Sequence, residues 1–129
     1  MPRRLQAEIV AHAREQAPRE CCGLLFGDGD VVDRLVRGRN VHATPETRYE
    51  IDPAQLRDAI FGSDDTDRYL VGIYHSHPRT EPKPSAFDIA NAFWPEQVYV
   101  LTSLRFEPPE IFAYRIKGGA VTKIDMDES

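Results

Sequence analysis

The chain is poor in the features that mark exported, membrane-spanning or nucleic-acid-binding proteins. It has two cysteines, Cys21 and Cys22, and they are neighbours. Across a trans peptide their Cα atoms stand about 3.8 Å apart, short of the usual disulfide range, so a bridge between them would be strained. Without an export signal, the expectation is a pair of reduced, buried thiols in a cytoplasmic protein. Arg3 and Arg4 sit near the start, but Glu8, His12, Arg14 and Glu15 break up the segment behind them, and no apolar leader core is left. No run approaches the roughly 20 apolar residues of a membrane span. Positive charge is not in excess either, since the formal net charge is −5. Nucleic acids and anionic membranes both require clustered positive charge, so neither is expected as a partner. Protein or peptide partners are the more natural ones.

Two zinc-hydrolase patterns are also missing. There is no His-Glu-x-x-His segment, and no Cys-x-x-Cys to partner a His-x-Glu, which excludes zincins and base deaminases.

What is present is one domain's worth of chain, 129 residues with 41% hydrophobic content, so residues 1–129 are expected to form a single domain. Residues 4–16 place Leu5, Ile9, His12, Ala13 and Gln16 on one stripe of a helix that ends before Pro18. Cys21 to Phe26 is a continuous apolar run closed by Gly27, the pattern of a strand buried on both faces. Asp28-Gly29-Asp30 reads as a turn, and 31–41 as the returning strand. Residues 42–48 read as loop and 49–51 as a short strand. Asp52 then caps a helix with Pro53 in its first position and Gly62 at its end, buried through Leu56 and Ile60. An acidic loop spans 63–67. Residues 97–104 are a further strand, 111–117 and 120–126 a hairpin about Gly118-Gly119, and 127–129 a frayed end. Alternating helices and strands with hairpins at both ends predict an α/β layered fold with a mixed, largely antiparallel sheet.

The chemistry concentrates between Tyr69 and Asp88, YLVGIYHSHPRTEPKPSAFD. Residues 69–77 read as a strand, on which His75 and His77 share a face and Ser76 takes the other. Pro78, Pro82 and Pro84 stiffen the connection that follows. Ser85 is a favoured N-cap and Asp88 lies three residues on, at the head of a helix running to about Phe93. Two neutral imidazoles and a carboxylate are the ligand set of a catalytic zinc site with an open position for water. Such a site lowers the pKa of its water from 15.7 to about 7.

His75-Ser76-His77-Pro78, the seven residues from Pro78 to Pro84, then Ser85-x-x-Asp88, with Glu20 upstream in ECCGLLFG, resembles the JAMM (MPN-plus) metalloprotease motif. Asn40, Tyr49-Glu50-Ile51-Asp52-Pro53 and the run to Tyr74 are similar to that family as well. The resemblance implies the same layered, cytidine-deaminase-like fold, with Zn2+ held by His75, His77 and Asp88. It implies Glu20 as the general base that takes a proton from the zinc water and returns one to the leaving amine. It implies Ser85 as a hydrogen-bond donor to the oxyanion, a role typically worth about 2.7–4 kcal/mol.

Each member has an ordinary alternative. His75 and His77 can be satisfied strand residues, and Ser85 with Asp88 can be a capping box without metal. Glu20 alone is an unremarked surface carboxylate. Cys21 or Cys22 can be a thiol nucleophile, although the apolar run around them offers no cation to lower a thiol pKa. His12 is expected on a helix flank and His42 in a loop, both outside the site, and Trp94 as a core plug or rim residue. The expected function is a zinc-dependent peptidase or isopeptidase working without a covalent intermediate, on a peptide or isopeptide bond at the C-terminus of a ubiquitin-like or sulfur-carrier protein. Two alternatives stand beside it, a catalytically silent interaction scaffold and a hydrolase of small amides.

Overall fold

The structure, a computed structural model, describes residues 1–28, 31–61 and 69–126. Six strands form one sheet: β1 (Cys22–Asp28), β2 (Val31–Arg37), β3 (Tyr69–His77), β4 (Val98–Ser103), β5 (Glu110–Lys117) and β6 (Ala120–Ile124). Their order across the sheet is β2-β1-β3-β4-β5-β6. β3 and β4 run parallel and every other pairing is antiparallel, so the mixed, largely antiparallel sheet is borne out. Parallel neighbours cannot be joined by a tight turn and need a crossover. Residues 78–97 supply it, and they carry the short helix α3 (Ala86–Ala90) past the end of β3. β5 and β6 are joined instead by Gly118 and Gly119, whose φ values of 57° and 84° suit the two-residue turn that right-twisted strands require.

The period of 2 along the strands divides the core into two faces. On one, α1 (Arg3–Gln16) buries Leu5, Ile9 and Ala13 against Cys21, Leu25, Tyr74, Val100 and Ala113. On the other, Cys22, Leu24, Ile73, Tyr99 and Leu101 meet Ile51 and the partly buried Leu56 of α2 (Pro53–Phe61). β1 contributes to both faces and is buried from Cys22 to Gly27, as its unbroken apolar run requires.

Several boundaries move. β2 stops at Arg37, and Asn40 and Ile51 form an isolated bridge where strands were expected. Helix α3 ends at Ala90 rather than near Phe93, with Asn91 as its C-cap. Gln16 is exposed at the last turn of α1, whereas His12 is a buried residue rather than a flank one, because its ring meets Tyr74. Asp52 does cap α2, accepting the Ala54 N–H at 3.0 Å. The turn at 29–30, Gly62, the acidic loop at 63–67, the end at 127–129 and the side chain of Ile60 lie outside the described residues. Among the described helices none is long and apolar enough to cross a membrane.

Candidate metal centre

His75 and His77 stand on the same face at the C-terminal end of β3, a central strand, and both are buried. Glu20 lies just ahead of β1. Cys22 pairs with His75 in the antiparallel register, and the Ser76 N–H donates to the Cys21 carbonyl at 3.1 Å, so two residues further back Glu20 reaches the level of His77. The Ser76 hydroxyl, on the opposite face, accepts the Cys21 N–H at 2.8 Å and fixes this junction. Asp88 arrives from the crossover. Ser85 caps α3 by accepting the Asp88 N–H at 3.1 Å, while its own N–H donates to Asp88 Oδ2 at 2.9 Å. The reciprocal capping box is therefore present, and it aims the Asp88 carboxylate at the histidines rather than into solvent.

One ligand atom from each of Glu20, His75, His77 and Asp88 lies within 4.8 Å of every other, and all four residues are buried. His75 Nε2 and His77 Nε2 each stand 3.1 Å from Asp88 Oδ2. The expected alternatives of cap and metal ligand for Asp88 are thus one geometry. The Ser85 hydroxyl oxygen is used as an acceptor, which leaves its proton available to donate.

The electrostatics are uneven. Burial raises the Asp88 carboxyl, but the bonds from His75 and His77 outweigh it and hold the group well below the usual carboxylate range. Burial pushes Glu20 up to about 8, with His77 opposing the rise. Burial lowers His75. It also disfavours the charged form of His77, yet the bond to Asp88 and the Glu81 carbonyl prevail and raise that ring. Cys21 and Cys22 are free thiols that burial drives up to about 11 and about 12, so neither supplies a thiolate nucleophile near neutral pH.

The residues fit a divalent cation on the chemistry of their unfilled valences. His77 Nδ1 donates to the Glu81 carbonyl at 2.8 Å, so a cation that displaced the Nε2 proton now shared with Asp88 would meet a lone pair there. Glu20 Oε1 is buried without a hydrogen-bond partner, as is His75 Nδ1 on the edge of the ring away from Asp88. Buried polar atoms are rarely left so, and each unmade bond is costly. Tetrahedral ligands at 2.0–2.1 Å from an ion would stand roughly 3.3 Å apart. The 3.1 Å separations on Asp88 Oδ2 are near that spacing.

Three supports escaped the motif. The Tyr49 ring stacks on His75 with centroids 4.3 Å apart and planes 22° from parallel. The Glu81 carbonyl orients His77, and backbone groups carry no sequence signal. Asn40 binds the Glu20 carbonyl from a distant loop. His42 packs edge-on against Phe87 at 5.3 Å but is not a member of the cluster, as expected. Beside Asp88 lies a cavity of about 220 Å³ walled by Tyr49, Ile73, Phe87, Trp94 and Tyr99, in which Trp94 is a half-buried rim residue. A larger cavity of about 750 Å³ opens on the α1 face and contains no member of the cluster.

A largely antiparallel α/β sheet with a His-x-His pair at a strand end, a carboxylate opposite it and an aspartate on the crossover helix brings together a ligand set that could hold a metal ion. The chain belongs to the prokaryotic homologs of the JAB domain, whose family model matches residues 2–117. It is 41% identical over 101 residues to the desampylase of Haloferax volcanii, covering 74% of this chain and 73% of that one. It is 40% identical over 119 residues to the CysO-cysteine peptidase of Mycobacterium tuberculosis, covering 89% of this chain and 80% of that one. The solution structure of a Desulfitobacterium hafniense protein superposes with a TM-score of 0.88 at 30% identity, covering 99% of this chain and 90% of that one. The expected fold and family are borne out, and with them the expectation of a peptidase-type hydrolase.

Proposed function

We propose that this protein is a zinc-dependent peptidase or isopeptidase of the cytoplasm that hydrolyses an amide bond at the C-terminus of a ubiquitin-like or sulfur-carrier protein. The observation that carries the reading is the convergence of Glu20, His75, His77 and Asp88 on one buried point. Two imidazoles and a carboxylate suit zinc and leave a coordination position open. The substrate class is supported by the relatives, a desampylase and a CysO-cysteine peptidase.

His75, His77 and Asp88 would hold the metal. Zinc bound there would supply a Lewis acid that polarises the scissile carbonyl and acidifies water. Glu20 is the residue that moves protons. A cation held beside it would draw its pKa down from about 8, so that a carboxylate would be at hand to accept a proton from the attacking water and pass one to the leaving amine. Ser85, with its hydroxyl proton uncommitted, donates to the oxyanion that develops on the substrate carbonyl. His77 is kept in the required tautomer by the Glu81 carbonyl throughout. No covalent acyl-enzyme forms, because the nearby thiols are buried and protonated.

The test is cleavage of a ubiquitin-like protein fused at its C-terminus to a reporter, with metal measured on the same samples. The native chain is expected to hold about one zinc and to cut the fusion. Glu20→Gln is expected to keep the metal and lose about 10²–10⁴-fold in kcat. A zinc-loaded protein that cuts no such fusion, with Glu20→Gln indistinguishable from the parent on any amide substrate, removes the reading.

A further inference from the structure

Glu20 lies outside β1, where no ladder bond fixes it, and yet its carboxylate sits in a buried cluster with His75, His77 and Asp88. What holds it is on another segment. The Asn40 side chain donates from Nδ2 to the Glu20 carbonyl at 3.0 Å and to the Arg48 carbonyl at 3.0 Å. Its Oδ1 accepts the His42 N–H at 3.0 Å and the Glu50 N–H at 3.1 Å. Both amide protons and both oxygen lone pairs are thereby used. A further bond closes the ring, since the Glu20 N–H donates to the Pro45 carbonyl at 2.7 Å, within the loop that Asn40 gathers.

The bonds to Arg48 and Glu50 bracket Tyr49, whose ring stacks on His75. One side-chain amide therefore ties the backbone of the acid to the backbone that carries the stacking partner of a histidine. We propose that Asn40 is a positioning residue for hydrolysis, which holds the Glu20 carboxylate in register with the His75 ring. The inference rests on the reading of Glu20 as the proton-moving group. Asparagine suits the place on size and on chemistry. Aspartate would turn an oxygen toward the carbonyls of Glu20 and Arg48, where donors are needed, and alanine would remove all four bonds, leaving the part-buried Glu20 carbonyl and His42 N–H without this partner.

A purely structural role and a positioning role differ in a double-mutant cycle. Asn40→Ala is expected to lower kcat by about 10²-fold, the scale of a displacement near 1 Å at a reacting group, with KM changed less than about twofold. Metal per chain is expected to stay at the parent value. In a Glu20→Gln background the same substitution is expected to change the residual rate less than about twofold, because the group it positions is gone. The unfolding midpoint in urea should nevertheless drop equally in both backgrounds. Should Asn40→Ala fail to fold, the near-isosteric Asn40→Asp enters the same cycle with the same expectations. Kinetic losses that simply multiply, loss of metal with Asn40→Ala, or full kcat in Asn40→Asp overturns the proposal while leaving the proposed function standing. Glu20→Gln as active as the parent overturns both.

Discussion

Strand β3 carries two consecutive residues, Tyr74 and His75, into opposite faces of the sheet, and each face buries a histidine. On the α1 face His12 is 3% exposed, and its Nδ1 meets the Tyr74 hydroxyl at 2.7 Å. On the other face His75 is 2% exposed, and its Nε2 shares Asp88 with His77 while its Nδ1 meets nothing. Burial lowers the pKa of both rings. What separates them is the valence left over. The His12–Tyr74 pair is a closed polar contact inside an apolar cluster, whereas the His75 side gathers two acids, two imidazoles and two orphaned atoms. Burial of an imidazole therefore says little about function. A convergence of four buried ligand-type side chains on one point says much more.

The contrast breaks most severely at the candidate metal ligands. Asp88→Asn keeps the shape of the α3 cap but removes the charge that faces both imidazoles. Metal content measured on that variant, and on His77→Ala, is expected to fall from about one per chain to background, with hydrolysis abolished. Replacing His12 by glutamine should leave the metal in place. Retention of metal by Asp88→Asn at the parent affinity would mean that the two histidines on β3 are no more specialised than His12.

A second break is thermodynamic and belongs to the protein stripped of metal by a chelator. Glu20 has an ordinary pKa of 4.5 and is pushed up to about 8 in the fold, chiefly by burial. The folded state then binds more protons than the unfolded state between those two values, so stability falls as pH rises through that window. The contribution is fully present below about pH 4.5 and is gone above about pH 8. Urea unfolding of the stripped protein across this range should show a decline of a few kcal/mol, which Glu20→Gln should flatten. A stability difference between parent and Glu20→Gln that does not decline as pH rises over the same interval would contradict the assignment of Glu20 as a carboxyl held neutral by burial.

The convergence of the candidate ligands was legible because their spacing is a geometric statement. Two histidines at i and i+2 of a strand must share a face, and Ser85 with Asp88 three residues on must sit at a helix head. Glu20 was legible through the resemblance of ECCGLLFG to the family, since nothing local joins residues 20 and 75. The roles of the supports were not legible, although Asn40 and Tyr49 stand among the residues similar to the family. Tyr49, Asn40 and Glu81 act through ring stacking, a saturated amide and a backbone carbonyl, and all three depend on where remote loops close. His12 was misplaced for a related reason. The helical stripe marks the inward face of α1, but the hydroxyl that makes a buried imidazole tolerable there comes from Tyr74, 62 residues away.

The smallest break lies in that closed pair. Tyr74→Phe keeps the ring in the core and removes only the hydroxyl, so His12 Nδ1 loses its partner at a buried site. An unsatisfied buried group of this kind typically costs about 1–3 kcal/mol, which urea unfolding at neutral pH should register. His12 has a pKa lowered by burial, so the neutral ring is the form that the fold favours, and stability there is lost as pH falls below its ordinary value of 6.5. Tyr74→Phe should therefore lower stability without changing metal content or kcat, although its neighbour His75 is a metal ligand candidate on the same strand. The two sides of β3 are separated by a single residue step, and period 2 is expected to insulate them. A loss of metal in Tyr74→Phe would show that strain crosses the strand, and that the two buried histidines are coupled rather than merely adjacent.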